Sequence, residues 1–155
     1  MIHSYSSSDF IPGYKNSLIA KSETNDCVVR SFASAFKVTY DESHQFVQIK
    51  FNRKNRKGTA RFVTIMNNMA NHETILWDKS LKRLGDGKSK NSMTYIDKGV
   101  QRKMTTFQFI KRNPKGTFMV TVSGHAFTIC NGAIFGNHED VLKTKKVILH
   151  AWEVI

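Results

Sequence analysis

Up to Ile110 the readable apolar positions recur at helical spacing, and from Thr117 onward the period is two. The first clear element is the segment CVVRSFASAFK. There Val28, Phe32, Ala35 and Phe36 fall on one face, and Val29 and Ala33 widen the stripe into a largely buried helix. Asn25 or Asp26 can cap it, and Cys27 lies in its first turn, off the centre of the stripe and in line with Ser31 and Ser34. Thr39-Tyr40-Asp41-Glu42 is a capping box and predicts a second helix through Phe46, Val47 and Ile49. The stretch KFNRKNRKGTAR reads as a basic loop, and a third helix from about Thr59 carries Phe62, Ile65, Met66 and Met69. Residues 72–104 give no clear pattern beyond an element at Leu81–Gly87 that ends in an exposed turn. Thr105 with Gln108 opens a short helix through Phe107 and Ile110, which Asn113-Pro114-Lys115-Gly116 stops.

The strands follow. Thr117 to Val122 is rich in β-formers, Ser123-Gly124 turns the chain, and His125 to Cys130 returns. Asn131-Gly132 is a strong hairpin signal before Ala133 to Phe135, and Val147 to Val154 supplies the last strand. Helices first and antiparallel strands last predict an α+β protein, its N-terminal helices packed on a C-terminal sheet. A length of 155 residues suits one domain, with 1–21 as an N-terminal extension and 22–155 as the core. No repeat, signal-like stretch or membrane-length apolar run appears, so a cytoplasmic protein is expected. Two cysteines are too few for a disulfide scaffold and lack zinc spacing. His3, His44, His72 and His150 show no partner at ligand spacing, so neither a metal nor a cofactor is expected.

A thiol in the first turn of a helix sits at the positive end of the macrodipole, where the thiolate is favoured. Acyl transfer through a thiol also needs a base, which imidazole supplies. Cys27, and His125 delivered by a later strand beside the uncluttered Gly124, fit that layout. The plainer alternative makes Cys27 a small core residue and His125 a rim residue of the sheet. Cys130 alternates onto the opposite strand face from His125 and is expected to be an inert core thiol.

At these residues the chain resembles a family of small bacteriophage proteins with a papain-like cysteine peptidase core. The likeness is carried by Thr24-Asn25-Asp26-Cys27-Val28-Val29-Arg30 with Ser-Phe-Ala after it, and by Gly116-Thr117-Phe118 with Val122-Ser123-Gly124-His125-Ala126-Phe127. The loop at Arg56-Lys57-Gly58-Thr59 and the ending Lys146-Val147 with Ala151-Trp152-Glu153-Val154 extend it over most of residues 22–155. The resemblance implies a phage-encoded thiol hydrolase of a protein or peptide substrate, with Cys27 as nucleophile and His125 as base. It also implies an acidic or amide residue on the next strand to orient the imidazole.

The chain departs from the pattern at that third residue. A two-residue Asn131-Gly132 turn sets His125 opposite His138, and Gly136 occupies the diagonal position where an aspartate is expected. Asn137 leads the candidates if Gly136 forms a bulge that re-aims it, followed by His138 and Asp140. The alternative is that no third residue exists. No glutamine precedes Cys27 to serve an oxyanion hole, which leaves Asn25 as an amide donor or as a plain helix cap.

Charge opens a rival reading. Lys+Arg 24 against Asp+Glu 12 gives a net +12, concentrated at Lys50 to Arg61, Lys79 to Lys90, Lys98 to Lys115, and Lys143, Lys145 and Lys146. Phe51, Phe62, Phe107 and Phe109 lie among these cations, a mixture that suits a nucleic-acid-binding or host-takeover protein without catalysis. Phe62 and Phe107, however, sit at core spacing on their helices. The sequence says nothing of oligomeric state.

Overall fold

The computed structural model describes residues 2–85, 93–136 and 145–155, and the protein is α+β. Its elements are β1 (Ser4–Ser6), α1 (Ser7–Phe10), α2 (Leu18–Lys21), α3 (Cys27–Phe36), α4 (Tyr40–Lys50), α5 (Phe62–Asn71) and β2 (Leu81–Arg83). They continue with β3 (Thr94–Asp97), β4 (Val100–Lys103), α6 (Thr106–Arg112), β5 (Thr117–Val122), β6 (His125–Cys130), β7 (Ala133–Gly136) and β8 (His150–Val154). Among the described residues, six strands form one sheet in the order β1-β7-β6-β5-β8-β2, antiparallel except where β1 runs parallel to β7. β3 and β4 make a separate two-stranded ribbon.

Alternation along the strands gives the sheet two apolar faces. Met119, Ala126 and Trp152 join Val29, Phe32, Phe36, Tyr40 and Met66 in the core under α3, α4 and α5. Phe118, Val120, Val122, Phe127, Ile129 and Ala151 point the other way and meet Phe109 and Ile110 of α6. Fully buried side chains such as Phe32 and Ile129 each contribute about 1.5–3 kcal/mol of transfer free energy.

Several expectations change. Within the expected N-terminal extension, β1 extends the sheet, and Ile11 and Ala20 lie in the helix-side core. α4 is capped as expected, with Thr39 Oγ1 accepting from the Glu42 N–H at 3.1 Å. Its buried stripe runs through Tyr40, Ser43, His44 and Val47, which turns Ile49 out to 74% exposure. α6 buries Thr106, Phe109 and Ile110, so Phe107 falls outside that stripe and is 49% exposed. α5 begins at Phe62 rather than near Thr59, and β8 begins at His150, with Val147 bridging to Thr105 instead. Leu81–Arg83 pairs with β8 as a strand, and the unreadable 72–104 stretch also holds the β3–β4 ribbon.

Candidate active site

Two independent devices bring β6 to the start of α3. Gly124 takes φ +71°, a left-handed value that costs glycine little, and closes the tight turn from Val122 to its partner His125. Thr128, fully buried on β6, donates its hydroxyl to the Ser31 carbonyl at 2.9 Å and so fixes the height of α3 on the strand. Together these set the His125 ring at the first residue of α3. The ring stacks on Phe127, with centroids 5.8 Å apart.

The Cys27 thiol is hydrogen-bonded to the His125 side chain and to the Ala126 backbone. Burial favours the neutral thiol and pushes its pKa up, but these hydrogen bonds and the charge of His125 outweigh it. The Asp26 carboxylate opposes them, and the net result is a thiol held below its ordinary value. Cys27 is half-buried, so part of it faces solvent.

Asp26 is the N-cap residue of α3, yet its side chain makes no capping bond. Its carboxylate instead accepts from Arg30 Nε at 3.2 Å and from the Tyr40 hydroxyl at 2.7 Å. Arg30 continues the chain to the Tyr14 hydroxyl at 2.8 Å. Burial, then the hydrogen bond to Asp26, drive the fully buried Tyr40 phenol far above its usual pKa, so it remains a donor. The first-turn N–H groups of α3 are therefore not occupied by the cap side chain.

Just upstream, residues 22–25 are bound to the basic loop. Glu23, its side chain 2% exposed, accepts from Arg53 Nη1 at 2.8 Å, Arg53 Nη2 at 3.1 Å and the Arg56 backbone N–H at 2.8 Å, and it also pairs with His44. Burial alone would raise the Glu23 pKa. The Arg53, Arg56 and His44 hydrogen bonds reverse that and hold it at about 2 against an ordinary 4.5. Asn25, at φ +53°, donates its amide to the Arg56 carbonyl at 3.0 Å. Of the two cap candidates, Asp26 occupies the N-cap position, and the Asn25 amide is engaged with the loop carbonyl.

Of the sequence-derived site residues, Cys27 and His125 are brought together. The β6–β7 register is the one that the Asn131-Gly132 turn predicts, Cys130 opposite Ala133 and Thr128 opposite Phe135, with both turn residues at positive φ. Asn137, His138 and Asp140 lie outside the described residues. Cys130 is half-buried with the Thr117 hydroxyl 3.4 Å from its sulfur, at the far end of β6 from His125. Among the described residues, no group of three His, Cys, Asp or Glu could hold a metal ion, and no helix is long and apolar enough to cross a membrane.

Two histidines have partners of another kind: His44 meets Glu23, and His150 accepts from Arg83 at 2.9 Å. Burial and the Arg83 charge push the His150 pKa down, which favours a neutral ring. The Asp26–Arg30 pair was signalled by its i,i+4 spacing; Glu23–Arg53, thirty residues apart, had no such signal.

Compared with known proteins, the chain matches no family model, no curated protein and no solved structure.

Proposed function

We propose that the protein is a papain-like cysteine hydrolase in which Cys27 and His125 attack an amide or acyl carbonyl of a protein or peptide. The observation that carries this reading is the pairing itself: a half-buried thiol at a helix N-terminus, held below its ordinary pKa by a neighbouring imidazole. In the first half-reaction Cys27 Sγ bonds to the carbonyl carbon while His125 receives the thiol proton. His125 then returns that proton to the leaving nitrogen as its bond to carbon breaks. Water attacks the resulting thioester, giving its proton to His125, and the acid departs as the thiol is restored. The Cys27 backbone N–H, at the uncapped start of α3, supports the developing oxyanion. The sequence resemblance calls for a further group to orient the imidazole, and its candidates Asn137, His138 and Asp140 lie outside the described residues. Peptidase, isopeptidase and deamidase share these steps, and a phage-encoded enzyme acting in the host cytoplasm fits the sequence resemblance.

The test is competitive alkylation by iodoacetamide near pH 6, read by peptide mass spectrometry. Cys27 should label about tenfold faster than Cys130, and His125→Ala should erase the difference. Equal, slow labelling of both thiols in the wild-type protein would overturn the enzymatic reading.

A further inference from the structure

The cations that look alike in the sequence separate sharply in the fold. In the loop after α4, Arg53 is 4% exposed and bound to Glu23, while Arg56 donates to the Ser22 carbonyl. Of the aromatics among the basic residues, Phe51, Phe62 and Phe109 are buried. The stretch from β3 through α6 to Lys115 differs on both counts. Lys98, Arg102, Lys103, Lys111, Arg112 and Lys115 are all exposed, and the one acidic residue in that stretch, Asp97, pairs with Arg102. Phe107 stands 49% exposed beside Lys111, one helical turn away on α6. The ribbon adjoins the end of α6, where the Arg112 guanidinium lies 4.4 Å from the centre of the Tyr95 ring.

We infer that this surface, built on β3, β4 and α6, binds single-stranded nucleic acid. Excess positive charge supplies phosphate contacts. The exposed Phe107 ring, beside Lys111 on the same flank of α6, offers a platform on which an unpaired base stacks. Stacking separates this partner from an acidic polypeptide, which would use the cations and leave the ring idle. It also separates it from duplex, whose bases are already stacked on each other. The surface does not depend on Cys27 chemistry.

The experiment is a fluorescence-anisotropy titration of the full chain with fluorescein-labelled oligothymidylate and oligouridylate of about 12 nucleotides, across salt from about 50 to 200 mM. Phe107→Ala should weaken binding about tenfold at fixed salt and leave the salt dependence unchanged. The variant Lys98→Asn/Lys103→Gln/Lys111→Gln should lower the log–log salt slope by about 2. A control, Lys50→Gln/Lys54→Gln/Lys57→Gln, removes the same charge from the exposed part of the other basic loop and should leave the slope near the wild-type value. Three results would each overturn the inference: no effect of Phe107→Ala, an equal slope change in the control, or competition by poly-glutamate or duplex as effective as by the single strand. Cys27→Ser should bind like wild type, and a loss there would equally contradict a surface separate from the thiol.

Discussion

The basic loop that follows α4 and the basic ribbon that precedes α6 have similar compositions and contrasting physical environments. In the loop, Arg53 is withdrawn from water and joined by two hydrogen bonds to Glu23, itself 2% exposed. In the ribbon, the Arg102–Asp97 pair is about half-exposed on each side. A buried charge is tolerable only when its partners are fixed, so the loop's charges hold backbone in place, four residues ahead of the nucleophile. An exposed charge is hydrated and free to meet a ligand. The same residue type therefore positions a site in one region and presents a surface in the other.

The sharpest way to break that contrast is to remove one acid from each region. Glu23→Gln leaves Arg53 buried without its counter-charge and should cost about 3–5 kcal/mol in urea or thermal unfolding. Asp97→Asn should cost less than about 1 kcal/mol, because water replaces the lost partner. Similar costs for the two substitutions would end the distinction.

Acid titration tests the same difference without mutation. Glu23 is held at about 2 in the fold and returns to about 4.5 when unfolded. Between those values the unfolded chain binds a proton that the folded chain does not, so stability falls as pH falls through this window. Above pH 4.5 the contribution is complete. Its full size is about 3 kcal/mol, and Glu23→Gln should flatten the acid limb of a stability–pH curve.

How much of this was legible in the sequence follows from the range of each interaction. α3 was readable because its six apolar positions fall on one face within ten residues. The β6–β7 register was readable because Asn131-Gly132 tolerates positive φ at both turn positions. The Cys27–His125 pairing emerged from chemistry rather than periodicity: a thiol at a helix start and a histidine at a strand start suit a common reaction. The β3–β4 ribbon escaped, since Lys98 is an uncommon residue at positive φ and every β4 side chain is exposed, leaving no alternation to detect. β1 escaped because Ser-Tyr-Ser is three residues long and offers one apolar side chain, Tyr5, whose contact with Phe135 spans 130 positions. The Glu23–Arg53 clamp escaped because charged residues thirty positions apart look like two solvated side chains.

The smallest effect expected bears on the thiol itself. Asp26 stands directly before Cys27, and its negative charge raises the thiol pKa against the lowering by His125 and Ala126. Asp26→Asn removes that charge while keeping an oxygen that can accept from Tyr40, whose hydroxyl remains a donor. The helix start should hold, because Arg30 N–H bonds to the Asp26 carbonyl at 3.0 Å through backbone alone. The pH profile of Cys27 alkylation should therefore move to lower pH, with Cys130 unchanged as the internal reference. A shift to higher pH would mean that Asp26 acts mainly by holding α3 in place, so that loosening the Cys27–His125 hydrogen bond outweighs the lost charge. The sign alone decides, because the electrostatic and positioning roles of Asp26 push the thiol in opposite directions.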